Sequence, residues 1–201
     1  LNRIAAASIA VVAWFGLVVQ CAALYNENSS FLLTLWIVLG FFTITTNLLV
    51  AAVFSAIAAD RTGLRSDGIV GGTMLSILLV GVIYTLLLHG LTELSGGSAL
   101  ANVLLHMVTP AAVPLVWLFL AHKGGLTWRH PLLCAIYPLA YFAYALVRGA
   151  ATGNYAYPFM NVNQIGWGQT AVNATVIAVC FMLCGFAVVW IDRRLASRQA
   201  V

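Results

Sequence analysis

A threonine hydroxyl and a histidine imidazole, Thr43 and His106, each lie well inside an apolar stretch of this sequence. Polar groups in such stretches are costly and need partners. The run Phe41-Phe42-Thr43-Ile44-Thr45-Thr46-Asn47 sets Thr43, Thr46, Asn47 and Val50 at i, i+3, i+4 and i+7, one face of a helix. A second cluster sets Asn102, His106 and Thr109 on one face of another helix. A hydroxyl beside an imidazole is the minimal equipment for nucleophilic attack on a carbonyl. The plainer alternative for an intramembrane threonine is a bond from its hydroxyl to the preceding turn or to a neighbouring helix. For His106 the alternative is a purely structural hydrogen bond. The spacing alone leaves both open.

The elements that must hold these residues follow from composition. Of 201 residues, 63% are hydrophobic and 7% charged, against roughly 25% charged in ordinary soluble domains. The mean hydropathy is +1.01. Too little polar surface exists to face water, so the expectation is an all-α, polytopic membrane protein with a single transmembrane domain over residues 1–201. Six apolar runs are predicted as spans, near 4–24, 31–58, 70–90, 99–120, 131–149 and 166–191. The second and sixth are long enough to tilt or protrude. The first follows Arg3 and ends near Ala22 and Ala23, as a secretory signal would. It exceeds the usual apolar core of about 7–15 residues, and is expected to be a true span.

Charge sets orientation. Arg3, Arg61, Arg65, Lys123, Arg129, Arg193, Arg194 and Arg198 fall on one side if the number of spans is even. The intervening loops carry no Lys or Arg, and Arg148 alone lies at the opposite end. The positive-inside rule then predicts both termini in the cytoplasm. The net charge of +4 serves topology, and no basic stripe interleaved with aromatics suggests nucleic acid. Cys21, Cys134, Cys180 and Cys184 all lie in apolar runs without metal-ligand or CxxC spacing, so neither a disulfide framework nor a metal site is expected. Pro110 and Pro114 interrupt span four and Pro138 interrupts span five. Kinks there would open a cavity between helices. At about 1.5 Å per residue, Thr43 lies about 18 Å along span two and His106 about 10 Å into span four, and tilt could close the difference. The loop with Asn154, Tyr155, Tyr157 and Pro158 could cap such a cavity.

These residues carry a resemblance. Phe41-Phe42-Thr43 with an amide at Asn47, Leu105-His106 with Pro110 shortly after, and Thr152-Gly153-Asn154-Tyr155-Ala156-Tyr157-Pro158-Phe159 occur in an order that resembles the androgen-induced protein family. That family includes the androgen-dependent regulator of tissue factor pathway inhibitor and six-span prokaryotic relatives. Strict motif matches cover a small part of the chain. Eukaryotic members are intramembrane threonine hydrolases of fatty acid esters of hydroxy fatty acids. The resemblance implies Thr43 as nucleophile and His106 as base. The acidic residue that follows the threonine in the eukaryotic pattern has no counterpart here; Thr46 and Asn47 stand in its neighbourhood. The spacing from histidine to proline also differs slightly.

The expected chemistry is a Thr–His dyad, because all five acids (Glu27, Asp60, Asp67, Glu93 and Asp192) lie at or near span ends. Asn47, Asn102 and Tyr157 are candidates to orient His106 or to hold an oxyanion. Arg148 is a candidate anchor for a substrate carboxylate, with snorkelling to the headgroups as the alternative. His89 reads as interfacial, and His122 and His130 as solvated. The six tryptophans mostly read as lipid-facing or interfacial. The expected partners are a lipid substrate and membrane lipids, with no cofactor, and the expected location is a bacterial inner membrane. Nothing in the sequence fixes an oligomeric state. Competing classes are a non-catalytic lipid or small-solute transporter using the same cavity, and a haem-binding bundle ligated by His89 and His106.

Overall fold

In hydrocarbon every backbone N–H and C=O must be paired within its own segment, which makes helices of long apolar runs. The computed structural model describes residues 1–199, and contains no strand among them. The helices are α1 (Arg3–Asn28), α2 (Phe31–Val38), α3 (Phe42–Ala58), α4 (Asp67–Ile83), α5 (Gly96–Val103), α6 (Thr109–Leu120), α7 (His130–Thr152) and α8 (Val162–Gln199). A π-turn, Tyr84–Leu88, ends α4, and another, Leu104–Val108, joins α5 to α6 without a break. Side-chain oxygens of Asn2, Ser30 and Ser66 cap α1, α2 and α4 by accepting N–H groups of the first turn.

Among the described residues, five helical segments are long and apolar enough to cross a membrane: Arg3–Asn28, Asp67–Leu88, Gly96–Leu120, His130–Thr152 and Val162–Ser197. The second predicted run, 31–58, is not one helix. It breaks at residues 39–41, and α2 and α3 meet at 93°. Counted as one broken span, the pair is a sixth crossing. The 17 residues of α3 span about 25 Å, a little short of the roughly 30 Å hydrocarbon core. Near the start of α8, Gly166 at φ 74° and ψ 164° interrupts the helix in a conformation that only glycine adopts easily.

The core is mostly apolar, as in a water-soluble protein, but it also encloses polar side chains, and large apolar side chains cover the outside. Thr43, Thr46, Asn47, Thr73, Ser76 and Thr109 are buried, while Ile4, Leu132, Leu133, Ile136 and Val147 are exposed. This suits a multi-pass membrane protein. Helix α1 packs on α3 and presents Ala6, Ala10 and Ala13 to the interior. Small residues let membrane helices approach closely.

The basic segments collect at one end of the bundle. Arg3 Nε donates to the Ala58 carbonyl (2.9 Å), and Asp60 pairs with Arg65. Asp192 of α8 accepts the N–H groups of Gly124 and Leu126 in the α6–α7 loop, at 2.9 and 3.0 Å. The starts of α1 and α4 and the end of α8 therefore lie at the same end. The Arg198 side chain lies outside the described residues.

Candidate active site

The break between α2 and α3 decides where Thr43 sits. Three side chains of α7 hold it. Tyr141 donates its hydroxyl to the Gly40 carbonyl at 2.7 Å, and Tyr144 donates to Leu39 at 3.4 Å. Arg148 donates to the Trp36 carbonyl at 2.5 Å and to the Tyr144 hydroxyl at 3.0 Å, with its guanidinium 4.2 Å from the Trp36 ring centre. A Cβ at Gly40 would lie 2.6 Å from that guanidinium, so the residue must be small. Helix α3 therefore begins afresh at Phe42, and Thr43 is in its first turn rather than about 18 Å down a continuous helix. The Phe42 N–H, one of the donors a helix start leaves unpaired, donates to the Tyr157 hydroxyl at 3.0 Å.

His106 is placed by the second π-turn. There the Thr109 N–H bonds the Leu104 carbonyl, five residues back. The next donor in that register would come from residue 110, which is proline and has none. The Leu105 carbonyl is thus left without a backbone partner, and Asn47 supplies one. Asn47, fully buried, donates through Nδ2 to the carbonyls of Leu105 (3.1 Å) and Thr43 (2.8 Å). Its Oδ1 accepts the Thr109 hydroxyl at 2.7 Å. One amide thereby ties the first turn of α3 to the π-turn of α5–α6. The result is a Thr43 Oγ1 to His106 Nε2 distance of 3.1 Å. The difference in depth expected from the sequence disappears because α2 does not descend with α3.

The first π-turn completes the surroundings of the imidazole. Tyr84 lies against the His106 ring, centroids 4.5 Å apart at 32°. The Asn102 side chain donates to the Tyr84 hydroxyl at 2.6 Å rather than to His106. His106 Nδ1 is buried and has no hydrogen-bond partner. His89 packs edge-on against Tyr84, 5.6 Å between centroids. π-Turns cluster at functional positions because they re-aim side chains that a regular helix would stack elsewhere.

Thr43 forms part of the wall of a cavity of about 320 Å³ between the start of α3 and helices α4, α7 and α8. Its lining is apolar except for the hydroxyls of Thr43, Tyr141 and Tyr157, all at one end. Tyr157 caps that end from the α7–α8 loop. Its ring stacks on Phe159 at 5.2 Å, and Asn173 of α8 holds the Phe159 carbonyl at 2.8 Å. Burial pushes the Tyr157 phenol up, opposed by the polar groups of Thr43, Phe42 and Tyr141 around it. The phenol therefore stays protonated and remains able to donate.

Thr43, His106, Asn47 and Tyr157 thus converge. Asn102 reaches the group through Tyr84, and Arg148 is engaged at the α2–α3 bend, outside the cavity lining. Sequence reading missed Tyr84 and Tyr141. For Tyr141 a signal existed: Tyr141, Tyr144 and Arg148 follow i, i+3, i+7 on one face of α7. No group of three His, Cys, Asp or Glu residues suited to a metal occurs among the described residues. The arrangement offers a hydroxyl and a phenolic donor at one end of an apolar chamber, with an imidazole outside the lining and 3.1 Å from that hydroxyl. No protein-family model, curated protein or solved structure matches the chain.

Proposed function

We propose that this protein is an intramembrane carboxylic ester hydrolase acting on lipid esters, of the kind exemplified by fatty acid esters of hydroxy fatty acids. One observation supports the reading above all: the 3.1 Å contact between Thr43 Oγ1 and His106 Nε2 at the wall of an apolar cavity. In this reading the pair of α2 and α3 is one broken span, the bundle crosses the membrane six times, and the basic end faces the cytoplasm. The site then lies in the outer half of a bacterial inner membrane.

The chemistry is two successive acyl transfers. Thr43 Oγ1 attacks the ester carbonyl carbon while His106 Nε2 takes the hydroxyl proton. The carbonyl oxygen becomes an oxyanion, and the Tyr157 hydroxyl donates to it. The tetrahedral centre collapses, the ester C–O bond breaks, and His106 returns the proton to the leaving alkoxide. A water molecule, deprotonated by His106, then attacks the acyl-threonine. Thr43 leaves as a hydroxyl and the fatty acid is released. For Nε2 to accept the Thr43 proton, Nδ1 must carry the imidazole hydrogen. That hydrogen is buried and has no acceptor among the hydrogen bonds of the structure.

The test is release of free fatty acid from a long-chain ester by the purified protein. Thr43→Ala should abolish turnover. His106→Ala should lower it about 10²–10⁴-fold, the range of general-base contributions. A folded Thr43→Ala protein that retains full activity would sink the proposal. Passage of intact lipid across proteoliposomes without hydrolysis would favour a transporter instead.

A further inference from the structure

The cavity has one polar end and one closed end. Its polar end is at Thr43, Tyr141 and Tyr157. From there it runs along α7 as far as Leu132 and along α8 as far as Phe181 and Met182. Those stretches correspond to roughly 12–15 Å of helix, about half of the roughly 30 Å hydrocarbon core and so the reach of one leaflet's acyl chain. Beyond them the three helices close on one another. A Cβ at Gly185 of α8 would lie 2.9 Å from Pro131 of α7. A Cβ at Gly72 of α4 would lie 3.0 Å from the Cys134 sulfur, and one at Gly68 would lie 2.6 Å from the His130 ring. Such approaches leave no room for a ligand. Phe181, 5% exposed, lies one turn above the Gly185 contact and is part of the cavity wall.

We propose that the cavity holds one unbranched acyl chain with its carbonyl at Thr43, and that Phe181 with Met182 forms the floor that limits its length. No lining side chain is charged, so the occupant's polar groups must all gather at the Thr43 end. That suits a chain bearing its ester or carboxyl group at one terminus. The closed end makes length the discriminated property. Up to the floor each added methylene is buried and improves binding; past it the chain must fold back, leave sideways past the exposed Leu132 and Leu139, or displace packed helices.

The inference rests on reading the cavity as an acyl site, so the experiment measures binding rather than turnover. Saturated free fatty acids, from octanoic to stearic, displace a fluorescent fatty acid from the purified protein in amphipol. Affinity should rise about fourfold per methylene and then break sharply. Phe181→Ala should move the break to longer chains. Met182→Trp, at a partly exposed position, should move it to shorter ones and serves if Phe181→Ala does not fold. A profile without a break, or a break that neither variant moves, overturns the proposal. A movable break in a protein that hydrolyses no ester would keep the length limit and remove the hydrolase reading.

Discussion

Asp192 and His106 are polar side chains enclosed in opposite halves of an apolar bundle, and the chain treats them differently. Asp192, 1% exposed, accepts two loop N–H groups. Its neighbour Lys123, also buried, donates to the carbonyls of Trp117 and Ala121 and lies 4.4 Å from the centre of the Trp117 ring. Burial pushes the Lys123 ammonium down, opposed by the charges of Asp192 and Asp67. Neither residue reaches the cavity. His106 makes one side-chain hydrogen bond, to a hydroxyl on the cavity wall, and leaves Nδ1 without a partner. A satisfied buried network fixes a loop. A buried group left with spare capacity, next to a space, is a candidate for chemistry.

Breaking the satisfied cluster should have the larger effect on folding. Asp192→Ala strands two N–H groups and removes the carboxylate that offsets a buried ammonium. It should cost about 3–5 kcal/mol of stability, read from unfolding in mixed micelles, while the turnover of whatever stays folded is unchanged. A variant as stable as the parent would erase the contrast between the two ends. Tyr157→Phe should invert the pattern. It removes the proposed oxyanion donor and should lower kcat about 10²-fold with a stability change near 1 kcal/mol. Asn47 joins the two classes, since it is fully satisfied yet holds the dyad. Asn47→Ala leaves the Leu105 carbonyl with only the longer bond from the Thr109 hydroxyl, at 3.3 Å, and should cost about 1–3 kcal/mol of stability. Turnover should fall with it, in proportion to the loss of the 3.1 Å contact. If turnover were untouched, Asn47 would be a structural residue only.

Much of this was legible from hydropathy and spacing. The apolar runs match the helical segments to within several residues, and the polar faces of Thr43–Asn47 and Asn102–Thr109 point inward as their periodicity requires. The α2–α3 break was not legible. Apolar residues flank it on both sides, and the groups that hold it, Tyr141, Tyr144 and Arg148, lie about a hundred residues downstream. A hydropathy window carries no information about such contacts. Arg148 illustrates the consequence. Its isolation in the sequence suggested a substrate anchor; two of its N–H groups are engaged at the bend, and it does not line the cavity. The π-turn at Leu104–Val108 left one trace, Pro110, which removes a donor without revealing that Asn47 supplies another.

The most direct test of the central claim is covalent labelling of the nucleophile. A lipid-tailed fluorophosphonate reacts with an activated hydroxyl and leaves an adduct that mass spectrometry can locate. One adduct is expected, on Thr43, absent from Thr43→Ala and strongly reduced in His106→Ala. Labelling of a different residue, or labelling of Thr43 at the same rate without His106, would contradict it.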